Sequence, residues 1–75
     1  MVMVESEAIA EIDYDASSST LLVRFVDGDW YSYFGVPPLV HAAFVAAESH
    51  GRFFQERIRP DYDYRRGKVL PSNDN

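Results

Sequence analysis

Polar and apolar positions divide the chain into a strand half and a helical half. Residues 8–14, AIAEIDY, are apolar with acids at Glu11 and Asp13, the pattern of a strand with one solvated face. The next stretch, DASSS, is turn chemistry, because Asp and Ser side chains bond to nearby backbone and compete with regular structure. Residues 20–26, TLLVRFV, are rich in β-branched and aromatic residues and predict a second strand. Asp27-Gly28 supplies a hairpin turn, and DWYSYF (29–34) a third strand. Gly35-Val36-Pro37-Pro38 ends the sheet and places a helix start at Pro37 or Pro38. Within LVHAAFVAAES the residues Val40, Ala43, Phe44 and Ala47 form one apolar stripe, and His50-Gly51 suits a helix C-cap. RFFQERI (52–58) predicts a short second helix stopped by Pro60, with Phe54 and Ile58 one turn apart. The expected fold is α+β: a three-stranded antiparallel meander packed on one main helix plus a short second one. Residues 1–7 form an N-terminal segment, 8–66 the domain, and 67–75 a disordered, flexible tail without periodicity.

Hairpin register decides where Tyr31 and Tyr33 point, since a slip of one residue exchanges the faces. A two-residue Asp27-Gly28 loop would put both tyrosines outside beside Arg24, as a base-stacking platform. A three-residue Val26-Asp27-Gly28 loop with a glycine bulge instead pairs Val23 with Tyr31 and Leu21 with Tyr33. Arg24 and Ser32 are the polar positions in the middle of these strands and belong on one wet face, which favours the bulged register. Leu21, Val23, Phe25, Tyr31 and Tyr33 then lie under the helix. Leu22, Arg24, Trp30, Ser32 and Phe34 are left around an open face, with Trp30 the exposed residue to explain.

Seventy-five residues with no cysteine make one small domain without disulfides or thiolate metal sites. The 15% aromatic content supplies the core such a chain needs, although a partner subunit would serve too. The opening residues carry no basic start followed by an apolar run, and no stretch is long enough to span a membrane, so a cytoplasmic protein without membrane contact is expected. A net charge of −5 counts against generic nucleic-acid binding. The charge is uneven, however: through His50 eight acids face Arg24 alone, whereas from Gly51 onward six bases outnumber four acids.

Three motifs combine in order: L-x-V-x-F (Leu21, Val23, Phe25) before D-G and Y-x-Y (Tyr31, Tyr33); F-G-V-P (34–37); and A-A-E-S-x-G-x-F-F (Ala46 to Phe54) before R-I-R (57–59). Over residues 8–66 the string resembles the KTSC domain, a short module found alone in bacterial and phage proteins and at the C-terminus of some lysyl-tRNA synthetases. The match is carried by Tyr31, Tyr33, Val36, Pro37, Ser49, Gly51, Phe53 and Phe54. It departs around Ser49-His50-Gly51-Arg52, where such domains often carry lysines, and at Gln55, where asparagine is common. The resemblance implies no established activity, and the link to synthetases implies RNA or nucleic-acid binding.

Glu48-Ser49-His50 has the residue types of a nucleophile and base, but neighbours on a helix point about 100° apart; Ser49 is better suited to capping the second helix. The pairs Asp13/Asp15, Asp27/Asp29 and Asp61/Asp63 sit at turns or edges, where Asp is ordinary, and two histidines are too few for zinc. No catalytic residue, metal or cofactor is expected. The binding candidates are Arg52, Arg57, Arg59, Arg65 and Arg66, interleaved with Tyr62 and Tyr64, since arginine forks phosphate and both side chains stack on bases. The expected function is a non-catalytic binding module with RNA or DNA as partner. The alternative is a protein partner or homodimer on the open sheet face.

Overall fold

The computed structural model describes residues 8–70 and the backbone pairing of Val2 and Met3. Five strands form one antiparallel sheet in sequence order: β1 (Val2–Met3), β2 (Ile9–Asp15), β3 (Thr20–Phe25), β4 (Trp30–Tyr33) and β5 (Tyr64–Arg66). Between β4 and β5 the chain forms α1 (Pro38–Ala46) and α2 (His50–Phe53), the latter running directly into a π-helical turn, Phe54–Ile58. The α+β class is as expected, but the meander has strands on both flanks of the anticipated three. Tyr-Arg-Arg is too short to show alternation, and it pairs through Tyr33↔Tyr64 and Tyr31↔Arg66.

The three-residue hairpin is the one formed. Phe25 donates to Asp29 O at 2.8 Å, Gly28 donates to Phe25 O at 2.9 Å, and Gly28 adopts φ 100°, a conformation that favours glycine. The pairs Leu21↔Tyr33 and Val23↔Tyr31 follow. On β2 the pairing shifts between Ile9 and Glu11. A bulge at Ala10 thereby brings Ile9 and Ile12, three apart in sequence, onto the same face.

Helices cover that face. Ile9, Ile12, Leu21, Val23, Tyr33 and Val36 from the sheet side meet Phe44, Phe54 and Ile58 from the helices. Phe44 is fully buried and stacks on Phe53 at 5.5 Å. Pro37 is the N-cap of α1, and Pro38 opens the helix. The stripe expected on α1 needs correction: Val40 and Ala47 are half-buried, but Ala43 is exposed. Phe44, the buried residue of α1, sets its inward side together with Val40 and Ala47, and Leu39, Ala42, Ala43 and Ala46 face outward, with Leu39 82% exposed. His50-Gly51 does not end α1 either; the helix stops at Ala46, and these two residues begin α2.

The opposite sheet face is not open. After β5 the chain turns at Gly67 (φ 101°) and crosses it. Ser32 Oγ donates to Gly67 O at 2.6 Å and accepts the Val69 N–H at 2.8 Å, and Lys68 Nζ lies 4.5 Å from the Trp30 ring centre. Ser32 and Leu22 are buried, Trp30 and Phe34 half-buried, and Arg24 binds Glu11. Of the five residues expected around an open interaction face, Leu22, Arg24, Trp30, Ser32 and Phe34, this chain's own residues 67–69 therefore cover Ser32 and Trp30. The expected flexible tail is corrected over the same stretch; its part from residue 71 onward lies outside the described residues, as does the N-terminal segment apart from Val2–Met3. Ser32→Ala should release this strap. Each orphaned backbone group costs about 1–3 kcal/mol if it stays buried, so detachment is the cheaper outcome. Hydrogen exchange at the Val69 amide should accelerate about tenfold or more while the Val23 amide keeps its protection. Unchanged exchange at Val69 would show that Ser32 does not hold the strap.

Candidate functional site

Strand alternation puts Phe25, Tyr31, Tyr33 and Tyr64 on the helix-covered face, and the π-helical turn lowers Phe54 onto them. The five rings touch in a closed circuit. Centroid separations run from Tyr64 to Tyr33 (5.5 Å), Tyr33 to Phe54 (5.4 Å), Phe54 to Phe25 (5.2 Å), Phe25 to Tyr31 (5.4 Å) and Tyr31 back to Tyr64 (5.8 Å). Three contacts are edge-on, the arrangement that ring quadrupoles favour. Beside the circuit lies a cleft of about 580 Å³, bordered also by Gly51, Gln55, Arg59 and Asp27.

The helical wall depends on the π-helical turn. Arg59 N–H reaches back five residues to Phe54 O at 2.9 Å. Widening the turn lessens the rotation per residue, so Gly51, Gln55 and Arg59, four apart, stay on the cleft side instead of drifting around an α-helix. Ser49 caps the start of this segment, its Oγ accepting the Arg52 N–H at 3.2 Å.

Tyr33 is the deepest phenol, 4% exposed. Burial pushes its hydroxyl up to about 12; Tyr64 and Tyr31 add to the rise, and Arg59 opposes it. Its hydroxyl therefore stays neutral at ordinary pH and can both donate and accept. Tyr64 is 57% exposed and offers a free ring face at the cleft's rim. Burial lowers the pKa of His41, which stacks on Tyr14 at 4.4 Å, away from the cleft lining.

Of the basic and aromatic residues singled out from sequence, the fold brings Arg59 and Tyr64 to the cleft. Arg66 binds Asp29 at 2.8 Å, next to Tyr31's strand position. Arg52 pairs loosely with Glu56 at 3.8 Å, and Arg57 lies over Phe53 at 5.6 Å. Arg65 is exposed and, opposite Ser32, projects to the other sheet face. Tyr62 packs half-buried against the core. The motif residues Tyr31, Tyr33, Gly51 and Phe54 all border the cleft, whereas Val36 and Phe53 pack in or against the core and Pro37 and Ser49 cap helices. Asp27, Phe25 and Gln55 also line the cleft, with Ala8, Ile9 and Val26, and are not among the binding residues expected from sequence. The four-residue spacing of Gly51, Gln55 and Arg59 was the available signal. Glu48-Ser49-His50 forms no triad: the Ser49 hydroxyl is on Arg52, and His50 Nε2 is 3.0 Å from Val45 O. Among the described residues no group of three acids or histidines converges on a metal position, and no helix is long and apolar enough to cross a membrane.

The KTSC domain family model matches residues 5–62. A Tsukamurella paurometabola protein is 42% identical over 62 residues, covering 83% of this chain and 92% of the relative. A lysine–tRNA ligase of Nostoc punctiforme is 32% identical over 60 residues, but these cover 80% of this chain and only 11% of the ligase. The crystal structure of a KTSC domain protein from Yersinia pestis superimposes with a TM-score of 0.80 at 37% identity, over 85% of this chain and 90% of that one.

Proposed function

Given that the chain belongs to the KTSC domain family, we propose that it is a non-catalytic module that binds single-stranded RNA in its tyrosine-lined cleft. The observation that carries this is the ring circuit, with the exposed face of Tyr64 and the Arg59 guanidinium beside it. Base–aromatic stacking contributes about 1–3 kcal/mol per base, and guanidinium forks phosphate oxygens. Sequence likeness to a segment of lysine–tRNA ligases, whose substrate is an RNA, supports RNA over DNA. The assignment to the cytoplasm belongs to the same reading.

A chain of net charge −5 has little basic surface to spare, so stacking dominates and few phosphates are neutralised. With one or two phosphate contacts on a single strand, the log–log salt slope should be shallow, about −0.7 per contact. Fluorescence anisotropy with a labelled oligouridine tests this. Arg59→Ala should weaken binding about tenfold and flatten the slope by about 0.7. Tyr64→Ala should weaken it about tenfold and leave the slope unchanged. Arg57→Ala, outside the cleft, should change neither. Absence of binding at low salt, or indifference to both cleft variants, would overturn the reading.

A further inference from the structure

The two ends of the cleft are chemically unlike. Arg59 lies at the end where Tyr33 feels its charge, and Asp27 closes the other, at the tip of the β3–β4 hairpin beyond Phe25. From Tyr33 to Asp29 on this side of the sheet is four residues, about 13 Å of extended chain. Aromatic wall fills the interval. The Asp29 carboxylate is held by Arg66 at 2.8 Å. Asp27 is exposed, makes no ion pair among the described residues, and uses one oxygen to accept the Asp29 N–H at 3.0 Å. Its remaining acceptor sites are uncommitted among the described residues.

We propose that the cleft seats one unstacked nucleotide with its phosphate on Arg59 and the donor edge of a guanine on the Asp27 carboxylate. This rests on the RNA-binding reading and adds polarity and base choice to it. A phosphate is repelled from the Asp27 end and attracted to the Arg59 end, which fixes the direction of entry. Guanine presents N1–H and N2–H side by side, matching the two oxygens of a carboxylate as a guanidinium fork does. Cytosine and adenine present one amino group at the same edge. Uracil presents N3–H between two carbonyl oxygens, which a carboxylate repels. A volume of about 580 Å³ falls within the range of small-molecule sites, roughly 300–1,000 Å³. Gln55, carrying both a donor and an acceptor, lines the space between the ends.

The test compares a labelled oligouridine with the same oligomer carrying one central guanine, using the full chain. The guanine oligomer should bind about tenfold tighter, the worth of one good bidentate contact. Replacing that guanine with inosine, which lacks the N2 amino group, should give up part of the gain. Asp27→Asn keeps an oxygen for the Asp29 N–H and so preserves the turn, but removes the charge. It should bring the two oligomers to within about twofold of each other, the guanine oligomer losing its gain and oligouridine binding no more weakly than to the wild-type protein. Equal affinities in the wild-type protein, or a guanine preference that survives Asp27→Asn, would overturn the inference and leave the RNA-binding reading intact. If neither oligomer binds, both fall together.

Discussion

Phe44→Ala should leave the domain largely unfolded at 25 °C. Phe44 is fully buried and is the residue through which α1 reaches the core, touching Phe53, Phe54 and His50. Truncating a buried phenylalanine costs about 3–5 kcal/mol, part transfer energy and part cavity. A domain of 75 residues has roughly 4–11 kcal/mol of total stability, and one without disulfide or metal belongs near the lower end. Urea titration followed by far-UV circular dichroism should show the wild-type transition and little or no folded baseline for the variant. Phe44→Leu, which retains most of the volume, should cost about 1–2 kcal/mol and keep the transition. A loss under about 1 kcal/mol for the alanine variant would mean that α1 is not anchored through this ring.

The second large effect should appear in alkali. The Tyr33 hydroxyl is pushed up to about 12, against 10.0 for a free phenol, chiefly by burial. Because the folded-state value is raised, the folded state holds the proton more tightly than the unfolded chain. The stabilisation is fully present below about pH 10 and is lost as pH rises through about 12. At 1.36 kcal/mol per unit, the span is on the order of 2–3 kcal/mol. Urea midpoints should be level up to about pH 9 and fall between about pH 10 and 12, and Tyr33→Phe should remove most of that fall. Equal alkaline losses in both proteins would sink the assignment. Arg59→Ala should steepen the decline, since the Arg59 charge holds the Tyr33 value down.

The register of the central hairpin was legible because Arg24 and Ser32 had to share a face, and they do. What that face meets was not legible. Ser32 is buried against backbone that arrives from residues 67–69, and Gly-Lys-Val carries no periodicity to announce a docking segment. Ile9 and Ile12 gave a faint signal of the β2 bulge, since a regular strand cannot place residues three apart on one face. The π-helical turn left no trace in RFFQERI, because hydrophobic spacing there suits α and π geometry alike. The cleft was half readable: Tyr31 and Tyr33 were expected under the helix, where they are, but their joining with Tyr64 and Arg59 depends on β5, a strand too short for pattern to reveal.

That dependence ties the cleft to the order in which the sheet closes. Pairings β1–β2, β2–β3 and β3–β4 join consecutive segments, whereas β4–β5 must enclose residues 34–63 and both helices. Closing a loop of that length costs about 2 kcal/mol more than closing a tight hairpin. Against this stand a three-pair ladder, the Tyr64 ring contacts with Tyr31 and Tyr33, Phe34 N–H to Asp63 O, Gly67 N–H to Trp30 O, the Ser32 bonds, Lys68 over Trp30 and the Arg66–Asp29 pair. β5, a three-residue edge strand closed over the longest loop, can undock by local opening that leaves Phe44 and Phe54 packed. Each opening carries Tyr64 away and breaks the aromatic circuit, so the measured affinity of the cleft is its intrinsic affinity multiplied by the fraction of molecules with β5 docked.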